Sequence, residues 1–427
     1  LKYYKVENEK LFDKAQIYSV SGDTYEKIDG DGTFFKNLEI ENLIINSNVH
    51  SVNVLSANSG MTNYTEFHVT MKNVCAGFTT DEINSSIMRC NYYTDTKTLE
   101  IVAKVPQGFW NITNSCSINI ALPFDKYSSS SATKFNLKIN AGSGDVTIGD
   151  TKTDSNLEPK SLYLKSLNVT TSNTVRVTEF GYVGTSSSKG VCEIDAKSLS
   201  CATTMYATDL NIKTTGSVTF SAENSIVATG DVKIESENAT SKYGNVNASN
   251  LYLKNIYGSQ TFNNVIGNVL IDNSSKKCDY AFKGITGKIS AGEKAYGGFN
   301  EIVVENCNIT VEGNLIERDV HTSGKFVFGN QNVSYSESLE VDSTKTVTIY
   351  GIDYTLSKDE DLEKKTVTYT IFGDGEKIEY TVEKNEKYEE LEDKTTKFSG
   401  NIKGVKFEIS ILEDETTWQI SANGTRK

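Results

Sequence analysis

The feature that most constrains this chain is a short phrase that recurs: glycine, a polar residue, then two apolar residues separated by one other. It is clearest in KFNLKINAGSGDVTI, residues 134–148, where Phe135/Leu137/Ile139 and Val146/Ile148 alternate on either side of a turn at Ala141 to Gly144. It returns at Gly216 to Phe220, Gly230 to Ile234, Gly267 to Ile271, Gly287 to Ala291 and Gly324 to Phe328. Successive glycines often fall about 18 to 20 residues apart or twice that, the length of one coil in a stacked-repeat protein. A second phrase, apolar-x-apolar led by Leu or Ile, lies between them at Leu162 to Leu164, Leu210 to Ile212, Leu251 to Leu253 and Ile302 to Val304. Because successive side chains of a strand point to opposite faces, one phrase of each kind makes a coil with two or three flat faces. Leu, Ile and Val then point inward, and Thr, Ser and Lys point outward. A single coil cannot keep its apolar side from water, so such an array stands only by stacking.

Little in the chain favours helix. Apolar residues are 37% of the sequence and alternate rather than recurring every three or four, and β-branched residues and 22 tyrosines abound. Only three prolines occur, which suits long ladders, since proline cannot donate to one. The predicted fold class is all-β: a central β-solenoid over 126–328, a β-rich N-terminal region of first coils or cap over 1–125, and a small antiparallel domain over 329–427. The boundary near 125 rests on Pro106, Trp110 and Pro123, and Ser128 to Ser131 and Ser186 to Ser188 read as corners or excursions. Beyond Gly329 glycine thins and charge rises, with 20 acidic and 13 basic residues from Glu340 to Lys427. There, Thr366 to Ile371 and Lys377 to Val382 flank Asp374-Gly375, which predicts a hairpin, and Val405 to Ile411 and Thr417 to Ile420 supply further strands of a sandwich or grasp.

A net charge of −13, with arginine only at 89, 176, 318 and 426, argues against a phosphate-backbone partner, so nucleic acid is not expected. No stretch has the length and apolarity of a membrane-spanning helix. The chain begins at Leu1 rather than Met, which fits a mature product whose signal peptide has been removed, with a trimmed chain as the simpler alternative; together with the cysteines this makes an extracellular or cell-surface location the expectation. Its seven cysteines lack close C-x-x-C pairs, which disfavours zinc. Cys192 with Cys201 and Cys278 with Cys307 are candidate staples between coils, Cys75 with Cys90 is a candidate loop closure, and Cys116 is left unpaired or intermolecular. Scattered buried thiols in a reducing compartment are the alternative. Candidate N-glycosylation sequons stand at Asn63, Asn84, Asn111, Asn168, Asn238, Asn247, Asn273, Asn308, Asn332 and Asn423, a number that chance alone would give in so Asn-, Ser- and Thr-rich a chain.

No catalytic constellation emerges. His50, His68 and His321 stand in unrelated contexts, there is no G-x-S-x-G elbow, and Gly144 to Gly149 has the phosphate-loop glycine spacing but Asp150 where lysine is required. Asp272, Glu301 and Glu305 follow strands and are candidates for the paired carboxylates of a polysaccharide lyase or hydrolase, but nothing fixes their separation and solvated carboxylates are the simpler reading. Asp29 to Thr33 opens like a calcium loop but lacks its later ligands, so a glycine turn is preferred. No metal or other cofactor is expected.

The repeated Gly-Asp-Val-x-Ile phrases with Leu-x-Leu strands between them, over about residues 134–328, resemble the putative-adhesin repeat family of cell-surface proteins. The resemblance implies a β-solenoid surface protein and brings no catalytic or ligand motif. The leading expectation is therefore a non-enzymatic adhesin, filament or coat subunit whose partners are copies of itself or surface glycans and proteins. The segment from Leu1 to Val20 is a candidate strand for donation to a neighbouring copy, with an ordinary strand of its own chain as the simpler reading. The alternative function is a carbohydrate-binding or carbohydrate-active β-helix protein, for which Tyr would have to supply stacking faces because only Trp110 and Trp418 exist.

Overall fold

The computed structural model describes residues 6–7, 16–21, 24–27, 34–35, 39–55, 67–75, 87–93, 95–104, 115–121, 134–149, 161–237, 240–254, 256–272, 277–292, 304–313, 315–328, 333–338, 341–349, 352–383, 396–403, 405–411 and 417–423. Among them there is no helix: the strands form one large mixed sheet and two four-stranded antiparallel sheets. By compactness the chain divides into Leu1–Gln260 and Thr261–Lys427.

In the first unit, parallel strands stack in three ladders. The first runs through Thr98–Lys104, Asn42–Ser47, Phe135–Gly142, Leu162–Thr171, Gly190–Ala196, Met205–Thr214, Asp231–Ser236 and Asn245–Lys254. The second runs through Ser115–Ala121, Ser51–Leu55, Asp145–Ile148, Thr174–Val177, Ser198–Cys201, Val218–Phe220 and Ser241–Lys242. The third uses the N-terminal halves of Leu162–Thr171, Met205–Thr214 and Asn245–Lys254, with Gly181–Val183 and Asn224–Ala228 between them. From residue 162 onward, hydrogen bonds between successive rungs such as Asn168–Glu193, Asp231–Asp209 and Asn250–Asp231 join residues 25, 22 and 19 positions apart, whereas Asn136 meets Ser166 and Asn42 at separations of 30 and 94.

Alternation makes this stacking possible. Leu137, Leu167, Cys192, Leu210, Val232 and Leu251 lie directly over one another in register and are all buried. Val52, Val146, Val175, Leu199 and Val218 do the same in the second ladder. Burying each such side chain contributes roughly 1.5–3 kcal/mol.

The recurring glycine is explained by close approach between rungs. A Cβ on Gly144 would stand 2.2 Å from the Val49 carbonyl oxygen, and one on Gly324, in the second unit, 2.2 Å from that of Cys307. The glycine-led phrases do not all mark the same position of a coil, however. The strand after Gly216 belongs to the second ladder and the strand after Gly230 to the first.

The expectation that Thr and Ser face outward needs correcting. Thr171, Thr203, Thr214, Ser225, Ser236 and Ser241 are buried. Their hydroxyls serve the corner backbone: Thr171 Oγ1 donates to the Gly144 carbonyl at 2.5 Å, Thr203 Oγ1 to Gly181 at 3.1 Å and Ser236 Oγ to Gly216 at 3.0 Å. A buried carbonyl needs a partner, and at a corner no ladder supplies one.

Nearer the N-terminus the pairing turns mixed. Phe67–Cys75 runs antiparallel to Ser115–Ala121, and Ile87–Tyr93 antiparallel to Thr98–Lys104. Gln16–Ser21 pairs in parallel with Ile87–Tyr93, so this stretch of the candidate donor segment is a strand of its own chain.

In the second unit, Cys278–Ala291 pairs in parallel with Cys307–Val311 through its first half and with Leu315–Val320 through its second, and Phe326–Phe328 extends the first pairing. The two antiparallel sheets follow. One is the meander Ser343–Ile349, Ile352–Asp361, Thr366–Gly373 and Glu376–Glu383; the other orders Val333–Ser338, Thr417–Asn423, Val405–Ile411 and Thr396–Ile402. The predicted hairpin is present, with Asp374 and Gly375 at φ +53° and +76°, the left-handed pair that a tight two-residue turn needs. Tyr354 of one sheet meets Phe407 of the other edge-on at 5.0 Å, and Tyr380 stacks on Phe398 at 4.6 Å.

Candidate functional site

With inward positions committed to packing and corner hydrogen bonds, chemistry is free to vary on the outward columns. In the first ladder the middle outward column reads Lys138, Asn168, Glu193, Asn211, Lys233 and Tyr252. The column beside it reads Asn140, Thr170, Asp195, Lys213, Glu235 and Lys254. Neighbours along a column touch. Asn168 Nδ2 donates to Glu193 at 2.7 Å, and Lys233 Nζ lies 5.9 Å from the Tyr252 ring centre. In a third outward column, Asn136 Nδ2 donates to Asn42 Oδ1 at 3.0 Å and Ser166 Oγ to Asn136 Oδ1 at 2.5 Å. These contacts tie the rungs together along the outer face as the apolar column does inside.

Aromatic residues on the third ladder behave similarly. Tyr163 and Tyr182 stack with ring centres 4.8 Å apart and planes within 12°. Each ring therefore covers a π face of the other, a face that would otherwise be open to a sugar ring.

All four cysteines whose side chains are described, Cys192, Cys201, Cys278 and Cys307, are buried, and no disulfide joins them. Cys192 and Cys201 stand on different ladders, stacked on Leu167 and Leu210 and on Val177 and Phe220 respectively, so they occupy separate interior columns. Cys278 and Cys307 are direct neighbours across adjacent parallel strands, yet they too are present as thiols. Burial pushes the Cys192 thiol up to about 11 and that of Cys201 to about 12, the latter against the opposing pull of hydrogen bonds at Thr203. Burial raises Cys307 further, with Cys278 and Asp279 adding to the effect. The side chains of Cys75, Cys90 and Cys116 lie outside the described residues.

Of the sequon asparagines, Asn247 is exposed, and Asn168 and Asn308 are half-buried, donating to Glu193 at 2.7 Å and to Asp279 at 2.6 Å. The side chains of Asn63, Asn84, Asn111, Asn238, Asn273, Asn332 and Asn423 lie outside the described residues, as do Asp29 to Thr33 and Glu301. Asp272 and Glu305 are exposed. His50 is exposed, and His321 Nε2 meets Asp319 Oδ1 at 2.7 Å. Among the described residues no group of three or more His, Cys, Asp or Glu side chains could hold a metal ion, and no helix is long and apolar enough to cross a membrane, which says nothing of a β-barrel.

No family model matches the chain, and no curated protein does. A crystal structure of a Bacteroides fragilis protein named as a putative adhesin is similar over 69% of this chain and 94% of that one, at 16% identity and a TM-score of 0.19, a likeness too slight to carry an argument.

Proposed function

We propose that residues 126–328 form a β-solenoid and that the chain is a secreted or cell-surface structural protein, of adhesin, filament or coat type, whose task is to hold a rigid β surface outward rather than to catalyse. The observation that carries this reading is the division of labour within each rung. Inward positions are apolar residues, buried cysteines or corner hydroxyls in continuous columns, while outward positions change from rung to rung without disturbing them. Three ladders sharing successive strands are what a three-faced coil would give, and such a coil is stabilised only by its neighbours. Buried thiols are compatible with an oxidising exterior because burial keeps the reactive thiolate from forming. Asn247 is exposed, where a glycan would meet no packed interior.

Antibodies against the purified chain, applied to intact and to permeabilised source cells, test the location. Equal labelling of both is expected, and labelling that appears only after permeabilisation overturns it. A density map of the purified chain tests the coil: strands stacked at about 4.8 Å along one axis through 134–254 are expected, and separate small sheets would end the proposal.

A further inference from the structure

We propose that the outward face of the first ladder, over the rungs 190–196, 205–214, 231–236 and 245–254, is a self-pairing surface that takes a second copy of this chain in antiparallel orientation. This rests on the stacked rungs and not on where the protein resides. The column Asp195, Lys213, Glu235, Lys254 alternates in sign at every rung. Asp195, Lys213 and Lys254 are exposed and Glu235 is half-exposed. With rungs about 4.8 Å apart, the four head groups form a line about 14 Å long. Among the described residues, none of the four is held in an ion pair within its own chain.

An alternating line of four charges is self-complementary in one orientation. A two-fold axis lying along the strands, between the Lys213 and Glu235 rungs, sets Asp195 against Lys254 of the second copy and Lys213 against its Glu235, each pairing occurring twice. The same axis brings Glu193 to Tyr252 and Asn211 to Lys233 in the middle column, so no like charges meet there. Turning the second copy parallel instead sets Glu193 against Glu193 and Lys233 against Lys233. Like charges facing across an interface suppress the wrong arrangement, so the sequence selects the antiparallel one. In the third outward column, Asp209 and Asp231 would face each other at the rim. Both already work within the chain, since Asp209 Oδ1 accepts the Asp231 N–H at 2.9 Å and Asp231 Oδ1 accepts Asn250 Nδ2 at 2.9 Å, and water screens charges at a rim.

Charge swaps with the full-length chain separate this pairing from mere attraction between neighbouring rungs. Lys213→Glu sets two pairs of carboxylates against each other across the two-fold, and Glu235→Lys sets two pairs of ammonium groups. Each variant alone should weaken dimerisation on the order of tenfold or more, read as molar mass by light scattering across a concentration series. In a mixture of the two variants, one chain carries carboxylates at both positions 213 and 235, and the other carries ammonium groups at both. Every encounter across the two-fold is then between opposite charges, and the dimer should return as a heterodimer. The double swap in one chain should also dimerise, although within the chain it places a carboxylate beside Asp195 and an ammonium group beside Lys254. A monomeric wild type overturns the proposal, as do single variants that dimerise unchanged or a mixture that stays monomeric. If the wild type is monomeric while the map still shows stacked rungs, the pairing fails and the coil stands.

Discussion

The parallel ladders of 134–254 and the antiparallel sheets of 333–423 bury their apolar side chains by different means, and the difference shows where each is vulnerable. In the ladders every strand is covered by the strand before and the strand after, and inward residues repeat in register over many rungs. The antiparallel sheets are short and supply one shared core of Tyr354, Leu356, Ile371, Phe407 and Ile409, while the strand Glu376–Glu383 keeps only half-buried or exposed residues. Stacked rungs distribute their core along a line and depend on corners that admit no extra atom. The sheets concentrate theirs and leave their turns open.

Glycine substitutions should break this contrast most sharply. Gly144→Val drives new carbons toward the Val49 carbonyl and should cost at least about 4 kcal/mol or abolish folding. At Gly375, where a Cβ would meet nothing within 4 Å, alanine should cost only about 1–2 kcal/mol for its left-handed backbone. Chemical denaturation of both variants checks the pair, and equal losses would remove the distinction. Truncating the cores comes next. Leu210→Ala opens a cavity between rungs and should cost about 2–5 kcal/mol, against about 1 kcal/mol for the half-buried Ile378→Ala. The same denaturation series reads both.

Alkaline titration sharpens the comparison further, because the antiparallel sheets contain no cysteine. With folded pKa values raised to about 11 for Cys192 and about 12 for Cys201, the thiols contribute stability that is fully present below the unfolded thiol value near 9. That stability is lost as pH rises toward and through the folded values, at about 1.4 kcal/mol per pH unit per thiol. Melting temperatures of wild type and Cys201→Ala between pH 8 and 11 should therefore converge as pH rises. Parallel curves would show that the thiol is not shielded. The smallest effect is expected outside: Tyr182→Leu removes the stack on Tyr163 and should cost about 1 kcal/mol, read from the shift of the denaturation midpoint.

Alternation and glycine spacing make the strands and their inward residues readable from the sequence. Leu210, Ile212, Val232 and Ile234 are buried as the pattern requires, and the Asp374-Gly375 hairpin follows from turn chemistry. Which ladder a strand joins is not readable in the same way. The phrases at Gly216 and Gly230 look alike but belong to different ladders, because the choice depends on corner geometry set by distant rungs. The inward Thr and Ser escape for a related reason. Their composition says surface, and only the position of a carbonyl one rung away gives each hydroxyl a reason to be inside. Proximity in sequence is an uneven guide to the cysteines: Cys192 and Cys201, nine positions apart, stand on different ladders because a corner intervenes, whereas Cys278 and Cys307 lie side by side on adjacent strands. The face proposed for self-pairing is hidden as well, since the alternating charges lie about twenty residues apart and become adjacent only once the register is known.

The corner hydroxyls also give the stack a direction. Thr171 seals Gly144, Thr203 seals Gly181 and Ser236 seals Gly216, so in each case the donor belongs to the later-made segment. A growing chain leaving the ribosome would thus hold the Gly144 or Gly181 corner unsealed until the following turn of polypeptide arrives, although Gly216 already accepts from Thr214 Oγ1 at 2.8 Å, and a fragment cut short just after Gly144 or Gly181 would finish on a bare carbonyl. One cut at its N-terminal end would lose only an acceptor, leaving a rotatable hydroxyl to find water.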